Sequence, residues 1–161
     1  MMLDDTWNGE ADLRRAFSRF ATGVTVVTTH APGQGAVGFT ANSFSSVSLD
    51  PPLVLWSIAR RAARYDAFAQ AEHFAIHILS AEQRGIAAHF VSDGGGFDQF
   101  DWAPDENGTP ALHGCLARLA CTRHEAVSAG DHTIIIGRVT GLAQREGAAL
   151  AYINSRYATL D

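Results

Sequence analysis

The sequence predicts a β-rich α+β domain of six or seven strands with a few short helices. Runs of β-branched and apolar residues recur at strand length, as in Val24–Thr29, Leu53–Ile58 and Phe74–Leu79. Helical spacing is confined to short stretches, and Gly- and Pro-containing turns separate the rest. The 161 residues suffice for one good core and are too few for two ordinary domains. No repeat, low-complexity tract or linker divides them, so residues 1–161 are expected to form a single domain. A sheet of this size tends to close on itself, because an open edge exposes unpaired backbone groups.

In chain order, Leu13, Phe17 and Phe20, with Ala16 and Ala21, recur at helical spacing after a polar start at Thr6 or Asn8. Arg14, Arg15 and Arg19 then occupy the wet side, and Gly23 stops the helix. Val24–Thr29 is a strand, and Ala31–Gly35 is a turn that returns the chain antiparallel. Residues 38–52 continue as a strand, and Leu53–Ile58 reads as a strand buried on both sides. Ala62–Ala71 is a short helix with Tyr65, Phe68 and Ala69 on one flank; Phe74–Leu79 is another strand. Ser80-Ala81-Glu82-Gln83 fits a capping box, which starts a helix running to about Phe90. Ser92–Pro110 breaks every period and reads as a long functional or mobile loop. Leu116–Glu125, Thr133–Gln144 and Leu150–Ile153 close the chain as strands.

Composition excludes several classes. A hydrophobic fraction of 47% with 18% charged residues is that of a folded chain. A net charge of −5 argues against a nucleic-acid partner, which needs a basic patch. Arg60, Arg61 and Arg64 suit one small anion better than a duplex. Cys115 and Cys121, read on one strand, lie ~20 Å apart, whereas a disulfide needs ~7 Å or less between Cα atoms. Reduced thiols follow. With no apolar run approaching the ~20 residues of a membrane span and no signal pattern at the start, the expected compartment is the cytoplasm.

The chemistry concentrates in Gly38-Phe39-Thr40-Ala41-Asn42-Ser43-Phe44-Ser45-Ser46-Val47-Ser48-Leu49-Asp50-Pro51-Pro52. On a strand, Thr40, Asn42, Phe44, Ser46 and Ser48 share one side, and Phe39, Ala41, Val47 and Leu49 the other. Ser43 and Ser45 interrupt the apolar set and suggest a bend or bulge that frees backbone N–H groups. Short donors and loose amides suit a ligand carrying phosphate and flat heteroaromatic edges. A solvated strand face is the simpler reading of the same alternation.

Other motifs carry less. Gly33-x-Gly35-x-x-Gly38 matches a dinucleotide fingerprint by letter, but the residues after it read as strand, not helix, so these glycines are a hairpin turn. His73 and His77 lie four apart on a strand without a metal-binding pattern. No Gly-x-Ser-x-Gly elbow is present. Gly130-Asp131-His132 is a turn entering a strand; either His132 is a surface histidine beside a capped turn, or Asp131 orients it toward a site.

The stretch Gly38–Val54 resembles the signature of the short-chain flavin reductase family, and Gly130-Asp131-His132 resembles that family's histidine element. Phe74–Ser80, Gln83, Phe90 and Ser155-Arg156-Tyr157 agree as well, so the likeness spans roughly Phe17 to Tyr157. Gln99 stands where the family often has a basic residue before the loop phenylalanine, and His77 where it often has asparagine. The resemblance implies a split β-barrel binding FMN or FAD at a homodimer interface, reduction by NADH or NADPH, and delivery of reduced flavin to a separate monooxygenase. Hydride transfer between such cofactors needs orientation and electrostatics from the protein, not a nucleophile. In that setting Ser57, Arg60, Ser46 and Ser48 are candidates for the flavin phosphate, although Arg60 is equally readable as a solvated helix-entry residue. Thr40, Asn42 and the backbone around Ser43 and Phe44 are candidates for the ring edge. His132, the catalytic candidate, and Tyr157 would position the nicotinamide. A reductase that releases its flavin is expected to bind it at micromolar strength, about −8 kcal/mol. A non-catalytic flavin carrier or sensor and a split-barrel flavin oxidase are the alternatives. The oxidase would require a basic phosphate cluster, for which the sequence offers only Arg60–Arg64.

Overall fold

The computed structural model describes residues 1–3, 5 and 7–161. Helix α1 (Glu10–Ser18) precedes strands β1 (Thr22–Gly23), β2 (Thr25–Ala31), β3 (Gly35–Ala41), β4 (Ser45–Leu49) and β5 (Pro52–Ala59). Then come α2 (Tyr65–Ala69), β6 (His73–Ile78) and α3 (Arg84–Ser92). The chain ends with β7 (Trp102–Pro104), β8 (Pro110–Leu112), β9 (Ala117–Ala129), β10 (His132–Gln144), β11 (Ala149–Ile153) and β12 (Arg156–Leu160).

Seven strands form one antiparallel sheet in the order β3-β2-β6-β9-β10-β5-β4. Its two edge strands, β3 and β4, are consecutive in the chain and separated only by Asn42, Ser43 and Phe44. Laid flat, the edges of seven strands would stand about 29 Å apart at ~4.8 Å per strand. The link from Ala41 to Ser45 reaches about 14 Å at ~3.5 Å per residue. The sheet must therefore curl, and the β-rich α+β expectation takes the form of a split β-barrel. The barrel is not closed by hydrogen bonds: β3 and β4 pair on their other sides, with β2 and β5. At the seam, the Ser43 hydroxyl accepts from the Ser57 N–H at 2.9 Å and lies 3.2 Å from the Ser57 carbonyl, standing in for a rung of the β4–β5 ladder.

Two apolar clusters flank the sheet. One fills the curl with Val27, Trp56, Ile58, Phe68, Phe74, Ile76 and Ile135. The other lies between the sheet and α3, with Val26, Leu79, Ala87, Phe90, Phe97 and Leu112. Strand β2 is buried on both faces for this reason, Val27 on one and Val26 on the other. His77 on β6 joins the two layers: its Nδ1 lies 2.9 Å from the Val26 carbonyl, and its Nε2 accepts from the Leu112 N–H at 3.0 Å. That pattern fixes a neutral ring with the proton on Nδ1.

Several expectations are revised. The stretch 38–52 is two strands, not one, because it leaves one edge of the sheet for the other. The assumed two-residue alternation therefore fails past Asn42: Phe44 packs against the barrel core, while Val47 and Leu49 are exposed. A register shift between Ser46 and Ser48 adds a bulge there. Strand β5 is buried on one face only, through Val54, Trp56 and Ile58. The 92–110 region holds the β7–β8 hairpin, anchored by buried Phe97 and packed against Phe90 and Trp102. Cys115 precedes β9 instead of lying on it, and both cysteines are free. Helix α1 stops at Ser18, before Gly23, and buries none of its residues. The alternative helix start at Thr6 lies outside the described residues.

Candidate functional site

Asn42 is where the chain leaves β3 to cross the seam, and three clefts meet at it. The first, about 170 Å³, is lined by Val24, Thr40, Asn42, Val91, Tyr152 and Tyr157. The second, about 340 Å³, adds Arg14, Phe17, Thr22 and Ser155. The third, about 300 Å³, runs between Asn42 and Phe44 toward Thr25 and Ile78. A fourth, about 270 Å³, holds Asp131 and His132 against Glu10, Leu13, Arg14 and Phe17. Phe17 and Arg14 border both the second and the fourth, so α1 links the Asn42 side to the His132 side.

The β9–β10 hairpin turn at Gly130–Asp131 sets His132. Gly130 carries a φ of +60°, a left-handed conformation that favours glycine. His132 Nδ1 lies 2.7 Å from Asp131 Oδ1. That hydrogen bond, with the His132 charge behind it, holds the Asp131 carboxyl below the usual carboxylate range. Asp131 thereby fixes Nδ1 as the donor and leaves Nε2 as the available ring nitrogen. Arg60 braces the same turn: its guanidinium donates to the Ser128 hydroxyl at 2.8 Å, to the His132 carbonyl at 3.0 Å and to the Gly130 carbonyl.

The sequence candidates thus divide. Thr40, Asn42 and Tyr157 come together on the first cleft, and Phe44 joins Asn42 on the third. The Thr40 hydroxyl donates to the Ala87 carbonyl at 2.7 Å, which leaves its lone pairs for a ligand. Tyr157 stacks edge-on with Tyr152 at 5.3 Å, and Arg84 lies 5.2 Å over its ring. Burial, reinforced by Tyr152, pushes the Tyr157 phenol up, so it is a neutral donor. Ser43 and Ser57 are bonded to each other at the seam. Ser46 and Ser48 lie on β4 and line none of the four clefts. Arg60 is bonded to the hairpin turn. Arg64 lies over Phe39 with its guanidinium on the carbonyls of Gly38, Phe90 and Val91, so it too is occupied by protein.

Residue reading missed Phe17 and Arg14, since a helix with an apolar side is expected to bury it. It also missed Thr22 and Tyr152. The signal for Tyr152 was present in Asn154-Ser155, whose φ values of 51° and 60° make the two-residue turn that pairs Tyr152 with Tyr157. The donor set fits a flat, polar-edged anionic cofactor. The Thr22 hydroxyl, shielded from solvent in the second cleft, has no hydrogen-bond partner among the described residues, and tyrosine and phenylalanine rings wall the clefts around Asn42.

Comparison with known proteins finds relatives in both sequence and structure. Residues 17–161 match the family described as "Flavin reductase like domain". The NADH-dependent FMN reductase SmoA of Agrobacterium fabrum is 52% identical over 139 residues, covering 86% of this chain and 79% of that protein. The reductase component of the flavin-dependent trigonelline monooxygenase of Acinetobacter baylyi is 45% identical across 96% of this chain, which spans 50% of that relative's length. Among solved structures, the NADH:FAD oxidoreductase SgcE6 of Streptomyces globisporus, in complex with NAD and FAD fragments, superimposes with a TM-score of 0.83 at 39% identity, covering 92% of this chain and 90% of that one.

Proposed function

The chain belongs to the flavin reductase-like family, and on that premise we propose that it is an NAD(P)H-dependent reductase of FMN or FAD that supplies reduced flavin to a separate monooxygenase. The observation that carries the reading is the continuity of the clefts: the Asp131–His132 pair and Asn42 open onto neighbouring spaces that share Phe17 and Arg14. A bound flavin supplies the hydride-accepting chemistry, and the reduced nicotinamide supplies the hydride.

The protein's part is binding and orientation. Asn42 and Thr40 offer polar edges at the seam, and Tyr157 and Phe44 offer apolar walls on either side of Asn42. His132, held by Asp131 through Nδ1, presents Nε2 to the donor and limits its poses to those near attack distance. Phe17 lines the spaces on both sides. Open clefts of this kind suit a cofactor that leaves after reduction. The oxidase alternative needed free basic residues at Arg60–Arg64, and two of those guanidinium groups are bonded to the protein itself.

The active form we propose is a homodimer working in the cytoplasm. Exposed Phe20, Val47 and Leu49 supply apolar surface for a second copy. No helix among the described residues is long and apolar enough to cross a membrane. The deciding experiment mixes purified protein with NADH or NADPH and FMN or FAD and follows the nicotinamide absorbance band. Flavin-dependent loss of that band is expected; its absence with all four pairs sinks the proposal.

A further inference from the structure

Resting on the reductase reading, we infer that Arg14 and Phe17 of α1 form a nucleotide subsite, in which Arg14 binds a phosphate on the Asn42 side while Phe17 lies against the adjoining flat ring. FMN, FAD and the nicotinamide dinucleotides all carry phosphate, and the chain's net charge is −5. A cation beside the phosphate offsets that repulsion locally. Every Lys/Arg position of this chain is arginine, and Arg14 is the arginine that lines any of the four clefts. Arg60 is engaged on the hairpin turn, Arg64 on carbonyls and Arg84 over Tyr157, and Arg61 lies by Asp131, on the carboxylate side. Arg19 bonds to Asn154.

Arg14, by contrast, meets Glu10 only at 3.9 Å, with both side chains exposed at 75% and 84%. Such a contact holds little. The two sides of α1 differ in charge. The His132 side carries Glu10 and Asp131, whereas the Asn42 side carries the hydroxyl residues Ser18, Thr22 and Ser155 and, among the described residues, no carboxylate. A phosphate therefore belongs on the Asn42 side, where Arg14 gives charge-assisted bonds and the hydroxyls add neutral ones. Core packing gives no account of Phe17, which is 68% exposed on a helix that buries nothing. The helix is nonetheless held at this end: the Asn154 N–H donates to the Ser18 carbonyl at 2.8 Å.

The test is Arg14→Gln, with Arg14→Lys as the conservative variant. Neither touches a buried group. If the phosphate is the flavin's, Arg14→Gln raises the FMN dissociation constant about tenfold and leaves riboflavin, which lacks phosphate, unchanged. If it is the donor's, KM for NADH rises by about as much with kcat held, and the rate with a phosphate-free dihydronicotinamide is unmoved. Arg14→Lys retains part of either effect. Unchanged FMN-to-riboflavin preference together with unchanged KM for NADH overturns the inference. The flavin titrations need no turnover, so a protein that binds flavin but oxidises no NADH fails the reductase reading separately from this one.

Discussion

Lowering the pH should withdraw stability from this fold through one side chain, His77. The ring is fully buried, with Nδ1 committed to the Val26 carbonyl and Nε2 to the Leu112 N–H. Burial is the main cause that brings its pKa down from 6.5 to about 4, against the hydrogen bond to Val26, which opposes the shift. The folded value is the lower one, so between the two the unfolded chain binds more protons and stability falls as pH falls. The contribution is complete above the unfolded pKa, is reduced by about 2 kcal/mol near pH 5, and is gone, about 3 kcal/mol in all, below pH 4. Protonation also removes the acceptor for the Leu112 N–H, so the β7–β8 hairpin should loosen first. Urea unfolding of the wild type and His77→Asn at about pH 7.5 and about pH 5 isolates the effect, since other titrating groups are common to both. The wild type should lose about 2 kcal/mol more than the variant. Equal losses would refute the neutral, doubly bonded histidine.

Arg60→Ala releases the Gly130 and His132 carbonyls, so kcat for NADH oxidation should fall roughly ten- to a hundredfold with FMN affinity held. A lost FMN affinity with kcat intact would return Arg60 to a phosphate. Gly38→Ala places a Cβ 2.5 Å from the Phe90 ring, and urea unfolding should show a loss of about 1–3 kcal/mol. Gly85→Ala, in α3 with nothing within 4 Å of the added carbon, should gain up to about 1 kcal/mol by the same measurement. Thr22→Val removes a buried hydroxyl that has no partner among the described residues. It should leave the flavin-free protein as stable or up to about 1 kcal/mol more stable, while weakening flavin binding in a fluorescence titration.

What the sequence made legible was local. The β-branched run at Val24–Thr29, the Ser80–Gln83 box, in which the Gln83 side chain accepts from the Ser80 N–H at 3.0 Å, and the Gly130-Asp131-His132 turn depend on neighbours in the chain, and each is found where its residues put it. What depended on distant packing was not legible. Leu13, Phe17 and Phe20 have helical spacing, but spacing says nothing of whether a partner surface exists, and here they stay exposed. Arg60 and Arg64 looked alike as free cations; one reaches a turn some seventy residues on, the other the end of α3. The Ser92–Pro110 stretch has no period because Phe97 and Trp102 pack singly onto a layer built by other segments.

The polar stretch after Gly38 owes its placement to where it stops being a strand. Had Thr40–Ser48 continued as one strand, its amides would have met a neighbour's carbonyls and Asn42 would sit on an ordinary outer face. Instead β3 and β4 lie at opposite edges of one sheet and are bridged by three residues, so at Asn42–Phe44 the backbone has no strand alongside to complete a ladder. A side chain closes part of the gap, Ser43 onto Ser57, and three clefts open at Asn42. A barrel sealed by hydrogen bonds all round would leave no such edge for a flat ligand. The unsealed seam is what leaves a run of small polar residues open to the clefts at Asn42, where the proposed reading seats the flavin ring.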